Sequence, residues 1–180
     1  MPRSSIRFIS FPLTQPSPHF VSEVVQVFQS HEDEIGTAKA KGHTSDGTLA
    51  ILRDDLISLG FQIEASKASK DKIKRPVYFG EGGQPTLQYE VDGYHPEWKC
   101  GLEIEAGRAT QGNAIFRDLI QAMIMVQVEH LILAVANKYR RTDDSSRIHS
   151  EDFKVTTNVA SALYGHDRVK VPYGLTVIGY

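Results

Sequence analysis

A chain of 180 residues with 41% hydrophobic side chains has the length and apolar content for one domain with a real core, which excludes a disordered coil. A formal charge of -2 excludes a polycation but leaves room for a local basic patch. The single cysteine, Cys100, excludes an internal disulfide and a paired-cysteine zinc site, and it fits a reducing cytoplasm.

Residues 6–13 form a short apolar run, but Arg7 and Pro12 interrupt it and no small-residue cleavage site follows, so it is not read as a signal peptide. Ser17 and Pro18 open a first helix as N-cap and first helical residue, with Phe20, Val24, Val27 and Phe28 at helical spacing and an end near His31. Residues 32–45 are polar, contain Gly36 and Gly42, and predict a loop ending in a cap at Ser45 or Asp46. Leu49, Leu52, Leu56 and Leu59 make the apolar stripe of a second helix, closed by Gly60. Residues 61–65 alternate like a short strand and lead into Lys67, Lys70, Lys72, Lys74 and Arg75, five cations in nine residues. Residues 76–79 are extended, Gly80, Gly82, Gly83 and Pro85 turn the chain, and residues 86–92 and 101–107 alternate as two further strands.

Ala114, Ile115, Leu119, Ile120, Met123 and Val126 predict the longest and most apolar helix, over 110–128. Residues 130–136 are almost continuously apolar, the pattern of a strand covered on both faces. Gln121, Gln127, Glu129 and His130 place the whole stretch 119–136 in a protein core rather than a bilayer, so no membrane partner is expected. A helix over 151–164 and a strand over 175–178 follow. This order predicts an α/β fold, a mixed sheet flanked by helices, in a single domain over 1–180.

Side chains alternate across a strand, so Glu103 and Glu105 share a face opposite Leu102 and Ile104, and Glu90 and Asp92 share a face of the preceding strand. If the two strands pair as an antiparallel hairpin, up to four carboxylates gather within a few ångströms. Opposed like charges need a neutralising partner, and a hard divalent cation with oxygen ligands supplies one. The bland alternative is a solvated sheet face. Gly107 and the approach to a very apolar helix argue against it, because they tuck the strand end against the core. Glu90 is assigned to the strand surface rather than to chemistry. His95, His130 and His166 lack paired ligand spacing, and His95 and Trp98 are assigned to packing rather than to stacking on bases.

The run Y-E-V-D-G-Y-H-P-E-W-K-C-G-L-E-I-E-A-G, Tyr89 to Gly107, set in this order of elements, resembles the PD-(D/E)XK nuclease superfamily, the fold of many type II restriction endonucleases. The resemblance spans about residues 45–136 and implies a restriction endonuclease-like αβββαβ core with additions at both ends. Asp92 matches the first acid and Glu103 the second, while Glu105 stands where lysine is usual, a departure similar to the BamHI type of restriction enzyme. The resemblance implies a cytoplasmic endonuclease of the restriction or defence kind that hydrolyses DNA phosphodiester bonds with Mg²⁺, or with Mn²⁺ in its place. Asp92, Glu103 and Glu105 would be its metal-binding and catalytic residues, with Glu105 orienting or deprotonating a water. Cutting both strands with one site per subunit favours a two-fold homodimer. Lys67, Lys70, Lys72, Arg108 and Gln111 are candidate contacts to DNA phosphates; solvated loop and helix-entry positions are the alternative for them. The missing lysine supports a second reading, a catalytically inactive nuclease-fold protein that binds nucleic acid or serves as an assembly subunit.

Overall fold

Strand-like run 130–135 is buried at all six positions, as a strand covered on both faces must be, and it sits at the centre of the sheet. In the computed structural model, which describes residues 4–38, 42–65, 68, 71–107, 109, 113–141, 144 and 146–180, the chain runs β1 (Arg7–Phe11), α1 (His19–Ser30), α2 (Glu32–Ile35), α3 (Ser45–Ser58), β2 (Gln62–Ile63), β3 (Ile73–Phe79), β4 (Pro85–Val91), β5 (Gly93–His95), β6 (Cys100–Glu105), α4 (Ala114–Ile124), β7 (His130–Val135), α5 (Asp152–Gly165) and β8 (Gly174–Gly179). Six strands form a mixed sheet in the order β1-β8-β7-β6-β5-β2, and β3 and β4 form a separate two-stranded ribbon. β6, β7 and β8 are parallel, while β1, β5 and β2 each run antiparallel to their neighbours.

The period of two along the central strands sorts their side chains into two cores. Leu102, Ile104, Ile132 and Ala134 pack under α1 and α3 with Val24, Phe28, Leu52 and Leu56. Leu131, Leu133, Val135, Leu175 and Val177 pack under α4 and α5 with Ile115, Leu119 and Ala160. The first helix begins one residue later than the sequence predicts, with Pro18 as the N-cap; Ser17 Oγ bonds Ser10 Oγ at 2.9 Å instead of capping. α3 is capped by Thr44, whose side chain accepts the Gly47 N–H at 3.1 Å. Gly60 closes that helix at φ 107°, and a Cβ there would stand 2.7 Å from His95 Nε2, so the turn needs glycine both for backbone and for space. His95 stacks on Trp98 with ring centroids 3.6 Å apart and bonds the Leu59 carbonyl, the packing role expected for both.

Two expectations are corrected, and one strand was not foreseen. The run 6–13 contains an edge strand, β1, which closes the sheet beside β8; with Phe11 the one fully buried residue of its five and Arg7 within it, its pattern is too weak to stand out in the sequence. The apolar helix predicted over 110–128 is described as α4 over Ala114–Ile124 only, shorter than the 14-residue α3 and α5, because Met125 takes an extended conformation and Val126 donates its N–H to the Pro76 carbonyl at 3.1 Å. The strand predicted over 86–92 does not pair with 101–107. It pairs with β3, and the antiparallel partner of β6 is the short β5.

His130, at the start of β7, bonds Thr176 Oγ1 at 2.9 Å and packs against the edge of Phe20. Burial pushes its imidazole down to about 4 from an ordinary 6.5, so the fold keeps it neutral where the unfolded chain takes up a proton. This contribution is complete above pH 6.5 and is lost as pH falls toward 4, by up to about 3 kcal/mol. Urea denaturation of wild type and His130→Gln at pH 7.5 and 4.5 should show wild type losing about 2–3 kcal/mol more than the variant on acidification; parallel losses would contradict the assignment.

Candidate active site

Asp92 lies at the joint where the chain leaves the ribbon strand β4 and enters the sheet strand β5. Its Oδ2 accepts the Ile104 backbone N–H at 2.8 Å, and its carbonyl accepts the Glu64 N–H at 3.0 Å. The β5–β6 register, Gly93 opposite Leu102, carried one residue further, sets Asp92 opposite Glu103. Glu103 and Glu105 therefore lie on the α4 face of β6, since Leu102 and Ile104 belong to the other core. From α4, Asp118 projects inward beside Ile115, Leu119 and Ala122, all buried.

Two cations border these acids. Arg117 bonds Glu105 at 3.0 Å and Asp118 at 2.9 Å, and Lys72 bonds Glu64 at 2.6 Å. The Glu64 backbone is held in turn by Arg53 of α3, which donates to its carbonyl at 2.7 Å. Between the ribbon, β6 and α4 opens a cleft of about 510 Å³ lined by Asp92, Glu103 and Asp118, by the Glu64–Lys72 pair, by Arg117 and by the β4 rim.

The cleft is electrostatically tense. Burial pushes Asp92 up to about 6, the Ile104 N–H opposes this, and the charges of Glu64 and Asp118 add to it. Burial and then the charges of Asp92, Asp118 and Glu105 hold Glu103 well above the usual carboxylate range. Glu105 rises to about 7 through burial and the Asp118 charge, against the pull of Arg117. Asp118 is raised by burial despite Arg117, and its Oδ2 is buried with no hydrogen-bond partner.

The donor chemistry fits a hard divalent cation. Among the described residues no group of three or more His, Cys, Asp or Glu side chains forms a ready metal cage. Mg²⁺ does not need one, since it usually keeps several waters and takes one or two carboxylates. Asp92 and Glu103, opposed across the β5–β6 pair with burial raising both, supply that number.

The structure brings Asp92, Glu103 and Glu105 to one end of the sheet. Glu90 is exposed on β4 at the cleft rim. Lys72 is in the cleft wall, already paired with an acid. Lys67, Lys70, Arg108 and Gln111 lie outside the described residues. Sequence reasoning missed Glu64, Arg117 and Asp118. Asp118 carried a signal, a charge on the apolar face of an amphipathic helix; Glu64 carried none, because its closeness to Asp92 comes from the β2–β5 pairing.

A mixed six-stranded sheet with helices on both faces is a restriction endonuclease-like fold. The crystal structure of restriction endonuclease BglII complexed with a DNA 16-mer matches with a TM-score of 0.54 over 97% of this chain and 75% of that one, at 10% identity. The family described as "Putative halobacteria restriction endonuclease" matches residues 4–180, and the chain belongs to it. No curated protein matches the chain.

A carboxyl group raised by the fold is neutral in both states below its ordinary value and weakens the fold as pH climbs through the higher, folded value. At pH 8 without metal, Asp92→Asn and Glu103→Gln should therefore melt above wild type, by about 2–4 °C for each kcal/mol of relieved repulsion. The gap should close toward pH 4. Calorimetry across this range checks it, and variants that melt below wild type at pH 8 would mean that these acids are stabilising.

Proposed function

We propose that the protein is a Mg²⁺-dependent endonuclease that hydrolyses DNA phosphodiester bonds, of the restriction or defence kind, with Mn²⁺ able to replace Mg²⁺. The observation that carries this reading is the meeting of half-buried Asp92 and buried Glu103 in one cleft, two acids without an ion-pair partner, while the cleft's cations are paired with Glu64, Glu105 and Asp118. DNA as substrate is supported by the family and by the DNA-bound state of the BglII structure.

Asp92 and Glu103 would hold the metal, with Glu105 beside them. Bound Mg²⁺ supplies Lewis-acid neutralisation of phosphate charge and acidifies water. The chain's own residues do the rest. The Ile104 N–H fixes the Asp92 carboxylate in one orientation. Glu105, raised to about 7, is suited to take a proton from the attacking water near neutral pH. The water oxygen bonds phosphorus, one ester P–O bond breaks, and the leaving oxygen is protonated from solvent. Arg117 holds Glu105 in place, and Lys72, paired with Glu64 in the cleft wall, would face a phosphate bound there. A cytoplasmic location and a two-fold dimer, one site for each strand, complete the reading.

One observation favours a second reading, a non-catalytic nucleic-acid-binding or assembly subunit: Glu105 stands in the usual lysine position and is tied to Arg117. Cleavage of supercoiled plasmid separates the two. Wild type should cut with Mg²⁺ or Mn²⁺ and stop with a chelator, and Asp92→Ala and Glu103→Ala should each lower the rate by about 10³-fold or more. Mg²⁺ should also raise the melting temperature of wild type by mass action and leave that of Asp92→Asn unmoved. DNA binding without any metal-dependent cutting would establish the non-catalytic reading.

A further inference from the structure

We infer that the polar face of the β3–β4 ribbon selects the substrate's sequence, entering the major groove of duplex DNA and favouring A·T pairs beside the phosphate to be cut. The inference rests on the nuclease reading and extends it to the choice of site. The ribbon has two unlike faces. Across its register Tyr78 stands opposite Leu87 and Phe79 opposite Pro85, and this apolar row continues through Tyr89 to Val91, which belongs to the core under α4. Gln84, Thr86 and Gln88 alternate with that row and point the other way, in line with Glu90. Gln88 and Glu90 line the active-site cleft with Asp92, so the polar face is the one turned toward a substrate lying over the cleft. Every residue from 78 to 88 is exposed, and the side chains of Gln84, Thr86 and Gln88 make no hydrogen bond to the described residues.

Charge divides the ribbon lengthwise. Its root carries Lys72, Lys74 and Arg75, whereas residues 76–89 hold one charged side chain, Glu81. A DNA duplex demands this division: cations meet phosphates and fix the register, and uncharged hydrogen-bonding side chains meet base edges. Size agrees with it. The major groove, about 12 Å wide and about 8.5 Å deep, admits a two-stranded ribbon, and the rise of a strand sets Gln84 about 13 Å from Gln88, a span of about four base pairs. A hairpin bare on both faces is marginal in water, and a groove that grips it supplies the contacts it lacks.

The base preference follows from the side chains. Glutamine pairs in bidentate fashion with the N6 and N7 edge of adenine, and the methyl group of threonine packs on that of thymine. Residues 76–89 contain no Arg or Lys, the partners of guanine, and their one Glu, a partner for cytosine, sits in the turn. Gln84, Thr86 and Gln88 therefore form a row that selects A·T pairs.

Selection from a pool of random-sequence duplexes tests this. The full chain is mixed with the pool in Ca²⁺, a hard cation that carboxylates accept in place of Mg²⁺, and the retained duplexes are sequenced. Wild type should enrich A·T over G·C at two or more neighbouring positions, by about tenfold or more at each. The double variant Gln84→Ala, Gln88→Ala should lose that enrichment while still binding duplex at low salt with an unchanged circular dichroism spectrum. Gln88→Arg should exchange one A·T position for G·C, and Leu87→Thr, on the apolar face, should keep the wild-type motif. An enrichment that survives the double variant, a motif of G·C pairs, or retention without any motif would overturn the inference. Plasmid cutting with Mg²⁺ keeps the result apart from the nuclease reading. Cutting at sites that the ribbon variants leave unchanged removes the sequence-reading role and keeps the nuclease, whereas an A·T motif bound by a protein that never cuts keeps that role without the activity. A wild type that retains no duplex removes both.

Discussion

Everything at the cleft hangs on one hydrogen bond, the Ile104 N–H donated to the Asp92 carboxylate. It joins the strand that leaves the ribbon to the strand that carries Glu103 and Glu105, at the point where β4 ends and β5 begins. A carboxylate used in this way serves twice. It satisfies a backbone donor that the short β5 leaves without a strand partner, and it is thereby aimed at its neighbour across the pair. The break between ribbon and sheet is thus a positioning device as well as an irregularity.

The same arrangement stores electrostatic tension. Asp92, Glu103, Glu105 and Asp118 are all raised by burial first; neighbouring acid charges raise the first three further, and Arg117 pulls Glu103, Glu105 and Asp118 back down. A domain that keeps such a cluster gives up stability to hold it, the usual relation between a polar site and the fold that carries it. The fold can carry it because the two cores on either side of β6 and β7 are extensive and almost wholly apolar. His130, on the other face of the sheet, adds an independent pH dependence of the opposite sign, weakening the fold as pH falls.

Much of the fold was legible. β7 announced itself through an unbroken apolar run, β6 through strict alternation, and α1 and α3 through stripes at helical spacing. What was illegible was short or half-exposed: β1, with Arg7 in it, and the four-residue α2 inside a polar stretch. The helix α4 was overextended because apolar residues continue past Ile124 into a turn that packs on Pro76, and periodicity does not distinguish a helical contact from a turn that buries the same side chains.

The sequence by itself singled out Asp92, Glu103 and Glu105 as candidates and determined the face on which the two glutamates lie, because alternation along a strand is a local property of the backbone. Tertiary structure alone decided which strand opposes them. Pairing is a competition among all available edges, and here β3 takes β4 while β5 takes β6, so only Asp92, at the boundary, reaches the cleft and Glu90 stays on its rim. The partners Glu64, Lys72, Arg117 and Asp118 come from three separate stretches of chain, and only the closing of β2 onto β5 and of α4 onto β6 makes one site of them.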